Sequence, residues 1–283
     1  MEGEWNMYTF GIVSAASTAD IHENINTITA YAQKAAAQGC TALCFPECFL
    51  TGYIKEQAAE LAIALDSDAC RQLSALAQEL NIDLLVGIME KAPAQFVPPR
   101  FTAMTGTSAP SAAANALPNY FITQALFLAD GITHAYRKTH LGTREKPLFT
   151  AGDALPVFRL TCGVSIGFQI CVETHFNDIT QTLSLRGADL IFAPHAVPRA
   201  AGDRKALWEK YIPARSYDNK VYMACCNQYD EERFGGGLLV TAPTGEIIAS
   251  SYGSADMILF SVDIPTGKDR HYFPAQRRPE LYL

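Results

Sequence analysis

The sequence lacks three features that would indicate nucleic-acid binding, membrane insertion or secretion. Its 283 residues have a net charge of -7 and contain no basic block, whereas proteins that bind nucleic acid usually present a basic stripe. No apolar run approaches the roughly 18 residues that a membrane-spanning helix needs. The first residues contain neither a basic segment nor an apolar signal core. We therefore expect a cytoplasmic protein without a nucleic-acid or membrane partner.

The Cys-x-x-Cys spacing is also absent, although the chain has eight cysteines. The missing Cys-x-x-Cys spacing argues against a zinc site. Cys40, Cys44 and Cys48 recur every four residues, but Gly39 and Pro46 interrupt any helix that would align them. In a reducing compartment the cysteines should be free thiols, most of them small apolar core residues. We expect no metal and no organic cofactor.

Strand and helix patterns alternate along the chain. Helices are predicted at 21–38, 66–80, 179–186 and 207–219. Strands are predicted at 8–13, 41–45, 83–89, 120–128, 132–137, 157–160, 164–170, 190–193, 221–226, 238–241, 246–250 and 257–262. This order predicts an α/β fold with mixed sheets, each covered by helices on one face. No repeat or linker divides residues 1–283, so we expect one domain, with residues 92–118 as an inserted low-complexity loop.

Two candidate nucleophiles lie in one segment of the chain. Residues 163–167 match the Gly-x-Ser-x-Gly elbow of serine hydrolases, which requires a turn directly after the serine. Apolar residues continue to Ile170, so Ser165 should lie within a strand. Cys171 ends that run and should occupy the turn, where the start of the next helix is expected to lower the pKa of its thiol. We favour Cys171, while a buried core cysteine remains the alternative.

A cysteine nucleophile needs a base and an electrophilic partner. Glu47 follows an apolar run and has apolar neighbours, so burial should raise its pKa toward the range useful for proton transfer at neutral pH. Lys138 follows a predicted strand, where its ammonium could stabilise an oxyanion. From the residues alone, Glu47 could also have a purely structural role, and Lys138 could also be a solvated lysine on the surface.

The order and spacing of three segments resemble the nitrilase, or carbon–nitrogen hydrolase, superfamily, in particular its amidase and N-carbamoyl amide hydrolase branch. These segments are Phe45-Pro46-Glu47 with Thr51-Gly52-Tyr53, residues 136–141 and residues 167–173. Further matches lie at 149–153, 187–191, 214–219, 227–228, 243–245 and 278–282. The resemblance implies an α-β-β-α sandwich, in which two mixed sheets carry helices on their outer faces. It also implies a catalytic triad of Glu47, Lys138 and Cys171.

The resemblance implies roles for further residues. Glu145 matches a second glutamate that positions Lys138 and the substrate. Four other positions are implied to bind the oxyanion or the substrate, namely the Val172 backbone N–H and the side chains of Tyr53, His195 and Arg144. For His195, a place at a cap or at the edge of the core is an equally good interpretation.

The implied reaction is hydrolysis of a non-peptide carbon–nitrogen bond in an amide or N-carbamoyl (ureido) substrate. It proceeds through a thioester on Cys171 and releases ammonia or an amine. Conversion of a nitrile to the acid is the alternative, and a catalytically silent binding protein on the same fold is the second alternative. The resemblance further implies a homodimer or a larger homo-oligomer.

Overall fold

The computed structural model describes residues 6–92, 120–264, 273 and 276–281. Its strands are β1 (Asn6–Ser14), β2 (Ala42–Cys44), β3 (Asp83–Lys91), β4 (Tyr120–Phe127), β5 (Thr133–Arg137), β6 (Phe158–Arg159), β7 (Ser165–Phe168), β8 (Leu190–His195), β9 (Tyr222–Asn227), β10 (Leu238–Thr241), β11 (Ile247–Ser251) and β12 (Asp256–Ile264). Its α-helices are α1 (Ile21–Ala36), α2 (Ala58–Leu61), α3 (Asp68–Leu80), α4 (Asn177–Leu185) and α5 (Arg204–Asn219). Short 3₁₀ helices lie at Lys55–Gln57, Cys171–His175, Arg199–Ala201 and Pro279–Leu281.

The strands form two six-stranded mixed sheets. The first has the order β12-β1-β2-β3-β4-β5, and the second has the order β11-β10-β9-β8-β7-β6. In the first sheet β1, β2 and β3 run parallel, and in the second β7, β8 and β9 run parallel. The other pairings are antiparallel. Ligands of such sheets usually bind beyond the carboxyl ends of the parallel strands, so these ends are where a site is expected.

Three apolar cores hold four layers together. The core between the sheets contains Phe10 of β1 and Phe192 of β8, whose rings meet edge to face with centroids 6.3 Å apart. A second core joins α1 and α3 to the outer face of the first sheet, for example through Ile28. A third joins α4 and α5 to the second sheet, for example through Leu183 and Trp208. The predicted α-β-β-α sandwich is therefore confirmed.

The predicted elements are found with small shifts in their ends. Asp20 caps α1, since its carboxylate accepts backbone N–H groups of the first turn. α5 begins three residues before its predicted start, because the Asp203 side chain caps it there. The short helix α2 was missed by the sequence pattern. The predicted insert at 92–118 lies, apart from Ala92, outside the described residues. None of the described helices has the length and apolar character that crossing a bilayer requires.

Two glycines allow the chain to approach itself closely near two of the predicted site residues. A Cβ on Gly87 of β3 would collide with the backbone of the turn at 46–48, so only glycine lets the turn that carries Glu47 pack on this strand. A Cβ on Gly152 would collide with the backbone of Arg137, which directly precedes Lys138. The two glycines thus help to fix the turn after β2, which carries Glu47, and the end of β5, which precedes Lys138.

Candidate active site

Three of the predicted site residues follow the ends of different strands. Glu47 lies in the turn after β2, Lys138 directly follows β5, and Cys171 lies in the turn after β7. The first two belong to one sheet and the third belongs to the other. The site is therefore assembled across the two sheets at one edge of the sandwich.

The Lys138 ammonium lies between two carboxylates. Its Nζ donates to Oε1 of Glu47 at 2.7 Å and to Oε1 of Glu145 at 2.9 Å. Burial by itself would lower the pKa of Lys138, but the negative charges of Glu47 and Glu145 outweigh it and raise the pKa above its ordinary value. Lys138 is therefore a buried, permanently charged cation, which is the state that oxyanion stabilisation requires.

Glu47 is fully buried and held at several points. Its Oε1 accepts from Lys138, its Oε2 accepts the backbone N–H of Ala196 at 2.9 Å, and its backbone carbonyl accepts Nε2 of Gln228 at 2.8 Å. Burial raises the pKa of Glu47 to about 7, with Glu145 adding to the rise and Lys138 opposing it. The expected rise in its pKa is found, and the group can accept or donate a proton near neutral pH.

Glu145 keeps its charge and orients its neighbours. Its Oε1 accepts the Tyr53 hydroxyl at 2.8 Å as well as the Lys138 ammonium, and its Oε2 accepts the backbone N–H of Gly142 at 2.6 Å. Burial works to raise the pKa of Glu145, but Lys138 and the hydrogen bonds prevail and lower it. The two carboxylates that flank Lys138 thus differ in their affinity for protons. This difference in pKa suits Glu47 as the proton carrier and Glu145 as the fixed negative counter-ion of Lys138.

Cys171 sits in a strained turn after β7. Its backbone has a φ of 55°, in the left-handed region that residues with a side chain rarely adopt. The 3₁₀ helix Cys171–His175 follows it, and α4 begins only at Asn177. The residue is half-buried. β7 begins at Ser165 and continues through Phe168, so the prediction that Ser165 lies in a strand and not on a turn is confirmed.

The expectation that the turn lowers the thiol pKa is wrong for this structure. Burial raises the pKa of the Cys171 thiol well above its ordinary value, the Glu47 carboxylate raises it further, and the Lys138 ammonium opposes both. The start of α4 is too far along the chain for its dipole to offset these effects. Cys171 is therefore a thiol before reaction, and it needs a base to become a nucleophile.

The remaining predicted site residues occupy different environments. The Val172 N–H lies in the first turn of the 3₁₀ helix, where N–H groups have no acceptor within the helix. Tyr53 contacts Glu145, and its ring meets Phe234 edge to face with centroids 6.5 Å apart. Arg144 is exposed and makes no hydrogen bond to the carboxylates that flank Lys138.

His195 packs toward α5. Its ring lies 4.7 Å from that of Trp208, and its Nδ1 donates to the Ala193 carbonyl at 2.7 Å. Burial lowers the pKa of His195 to about 3, so the ring is neutral at physiological pH. This geometry corresponds to the core-edge interpretation of the residue, since no hydrogen bond joins it to the Lys138 cluster.

Sequence reasoning missed three groups that support the site. They are the Ala196 N–H and the Gln228 amide, which hold Glu47, and the Glu173 carboxylate beside the Cys171 turn. Glu173 lies within a segment that carried the family resemblance, but nothing local indicated its partners. Among the described residues, no cluster of three or more His, Cys, Asp and Glu side chains could hold a metal ion.

Comparison with known proteins identifies the family to which the chain belongs. The carbon–nitrogen hydrolase family profile matches residues 9–268. The chain belongs to the carbon–nitrogen hydrolase family. As a member, it is an enzyme that hydrolyses non-peptide carbon–nitrogen bonds by means of an active-site cysteine.

Three relatives are informative. Human omega-amidase NIT2 is 28% identical over 279 residues, which cover 92% of this chain and 91% of that protein. The crystal structure of an amidase from Nesterenkonia sp. has a TM-score of 0.77 and 24% identity, covering 97% of this chain and 94% of that one. A cysteine-to-alanine variant of that amidase in complex with butyramide has a TM-score of 0.76 and 25% identity, with coverage of 97% and 95%.

Proposed function

We propose that the protein is an amidase in which Cys171 is the nucleophile, Glu47 the general base and Lys138 the oxyanion-stabilising cation. The observation that carries this proposal is the Lys138 ammonium, held at 2.7 and 2.9 Å between two buried carboxylates. Glu145 is the fixed counter-ion that orients Lys138 and Tyr53. We assign the substrate-binding role to Tyr53 and the backbone of Val172, and none of the catalytic steps to His195 or Arg144.

In the first step, transfer of the thiol proton from Cys171 to Glu47 is coupled to the attack of the sulfur on the substrate. The thiol has a raised pKa and Glu47 a pKa of about 7, so the proton moves as the sulfur attacks the amide carbon and not beforehand. The developing oxyanion is held by the Lys138 ammonium and the Val172 N–H. Glu47 then protonates the departing nitrogen. Glu47 then deprotonates a water molecule, whose oxygen attacks the thioester carbon. The carbon–sulfur bond breaks, the carboxylic acid leaves, and Glu47 returns the proton to the Cys171 sulfur.

We propose a small aliphatic amide as the substrate. The support comes from the relatives, of which one is an omega-amidase and another is an amidase bound to butyramide. Monoamides of dicarboxylic acids are the first substrate class to test. Ureido acids and nitriles stay as alternatives, since the same thiolate and cation could attack their carbon atoms.

An ammonia-release screen tests the proposal. The protein and its Cys171→Ala variant are incubated with butyramide, with monoamides of dicarboxylic acids, with ureido acids and with nitriles. We expect release from amides by the parent chain alone. Release from nitriles alone would replace the amidase assignment by a nitrilase. No release from any compound by a folded parent chain would favour a silent binding protein.

We also propose a single-domain cytoplasmic enzyme that forms a homodimer through the α4–α5 face. The exposed apolar side chains of Phe176, Leu185 and Tyr217, which lie on or beside these helices, support this surface. Light scattering on the eluted protein tests it. We expect the mass of a dimer, and that of a monomer after Leu185→Glu. A monomeric parent chain would contradict this proposal.

A further inference from the structure

The carboxylate of Glu173 is a buried hub of hydrogen bonds. Its Oε1 accepts the backbone N–H and the hydroxyl of Thr139 at 2.7 and 2.6 Å, and the backbone N–H of His140 at 3.1 Å. Its Oε2 accepts the backbone N–H of Ile170 at 2.7 Å. The Tyr136 hydroxyl lies 2.8 Å from both oxygens. One fully buried side chain thus contacts two separate loops.

Hydrogen bonds, and not a strong cation, compensate this buried charge. Within the described part of the chain no lysine or arginine lies at ion-pair distance, and the nearest basic group is Nδ1 of the half-exposed His140 at 3.9 Å. A carboxylate in such a place is costly unless nearly all of its acceptor sites are used. Bonds to an ionised acceptor are also the stronger and more directional ones. The arrangement therefore holds its donors in one geometry.

These donors flank two of the proposed catalytic residues. Thr139 and His140 directly follow Lys138, and Ile170 directly precedes Cys171. Lys138 is otherwise tied to the first sheet, because its backbone N–H donates to the carbonyl of Ile122 in β4. The Cys171 turn belongs to the second sheet. Glu173 is therefore a polar bridge between the lysine loop and the cysteine turn.

We propose that Glu173 is a positioning residue that sets the distance between the Lys138 ammonium and the Cys171 sulfur. This inference rests on the proposed function, because it requires that these two groups act on one substrate. Glu173 touches neither reacting atom, so its effect passes through Lys138 and Cys171. Small misplacements of reacting groups are costly, with about a 100-fold loss of rate for a shift near 1 Å.

Glu173→Gln is the most direct variant because it keeps the size of the side chain. A glutamine has only one acceptor oxygen, so its NH₂ group must face either the Ile170 N–H or the Thr139 and His140 N–H groups. One of the two loops is then released. We expect kcat to fall roughly 10- to 100-fold while KM stays within about threefold, since the loss falls on the transition state.

Asp83→Asn is the matched control. Asp83 is also a buried carboxylate, and it accepts the Ala129 N–H at 2.8 Å together with the Thr161 N–H and hydroxyl, both at 2.9 Å. It likewise joins the first sheet to a loop of the second, but at the first residue of β3. We expect this variant to lower the melting temperature with kcat and KM unchanged. A merely structural role for Glu173 predicts the same behaviour for Glu173→Gln.

Thr139→Val gives a second test if Glu173→Gln does not fold. It removes one donor to Glu173 from a half-buried position and leaves the backbone donors in place. We expect a smaller fall in kcat at constant KM. If Cys171→Ala is inactive but a folded Glu173→Gln, or failing that Thr139→Val, keeps the parent kcat, positioning by Glu173 is refuted and the proposed function stands. If Cys171→Ala stays active, the proposed function itself fails.

Discussion

The Glu47 carboxylate lies 2.7 Å from the Lys138 ammonium, although the two residues are 91 positions apart in the sequence. Both side chains are fully buried, and they follow the ends of strands β2 and β5 of the same sheet. A buried charge without a partner is strongly destabilising, so each of these residues makes the burial of the other tolerable. The pair keeps Lys138 charged while Glu47 stays able to exchange a proton near pH 7.

Lys138→Met should impair both activity and folding. The variant removes the cation between Glu47 and Glu145, so kcat/KM should fall at least about 10²- to 10³-fold through the lost oxyanion partner. The two carboxylates are then buried without compensation, and the free energy of unfolding should fall by about 3–5 kcal/mol above neutral pH. Urea denaturation checks the second effect.

The stability loss should also depend on pH. Lys138 lowers the pKa of Glu47, so in the variant this carboxylate is protonated at a higher pH than in the parent chain. The variant should therefore recover part of its stability as the pH falls through neutrality. The control is Arg71→Met, because Arg71 lies at the surface and pairs with the exposed Asp68. An equal loss in the two variants, or no pH dependence, would show that Lys138 is not a buried counter-ion.

The pH profile should report Glu47. Only the ionised carboxylate accepts the thiol proton, so kcat/KM should rise with pH through a midpoint of about 7. The negative charge of Glu145 contributes to that raised pKa, and Glu145→Gln should therefore move the midpoint to lower pH while reducing the maximum rate. Glu56→Gln, on the surface, should leave the midpoint in place. An upward shift in Glu145→Gln would contradict the assignment of Glu47 as base.

Local patterns sufficed for the strands, for the helices other than α2, and for the positions of the Cys171 turn and of Glu47. Helix α1 follows from its apolar period and Asp20, and the strand that begins at Ser165 follows from continuous apolar residues. These features depend on neighbours in the sequence, which is why they were predictable. The order of Glu47, Lys138 and Cys171 also carried the family resemblance, which the family match confirmed.

Groups that depend on distant partners could not be predicted in this way. The thiol pKa of Cys171 was expected to fall because of its turn, but burial and Glu47, a residue of the other sheet, raise it. The bonds of Glu47 to the Ala196 N–H and of Glu173 to the Thr139 loop arise only when strand ends meet. For His195 the sequence left a pocket position and a place at the edge of the core equally open, and the contact of its ring with Trp208 depends on a distant helix.

Tyr53→Phe should have a moderate effect. The variant removes only the hydroxyl that donates to Glu145 at 2.8 Å and keeps the ring contact with Phe234. A hydrogen bond to a charged group contributes about 1.5–3 kcal/mol, so kcat/KM should fall roughly 10- to 100-fold. Steady-state kinetics with butyramide measure it. Tyr31→Phe is the control, since Tyr31 belongs to α1 and its ring packs on Phe45 in the second core, a contact that phenylalanine keeps. If Tyr53→Phe kept the parent values of kcat and KM, the Tyr53 hydroxyl would have no role in catalysis.

Gly87→Ala tests whether the close approach of β3 places Glu47. The added Cβ would meet the backbone of Pro46, Glu47 and Cys48, which cannot move as a flexible side chain would. We expect a loss of about 1–3 kcal/mol in the free energy of unfolding, together with lower kcat, since overpacking shifts the backbone. Gly39→Ala has open space around its Cβ and should affect stability only through its positive φ. A change in stability without any change in kcat would separate Gly87 from catalysis.

The covalent intermediate tests the central claim most directly. The protein is mixed with butyramide, quenched in acid, digested and analysed by mass spectrometry, with Cys171→Ala treated in parallel. The account predicts a butyryl group on the peptide that contains Cys171, attached to that sulfur, together with release of ammonia. It predicts neither in Cys171→Ala. An acyl group on Ser165 or another residue, or ammonia release that persists in Cys171→Ala, would contradict the account.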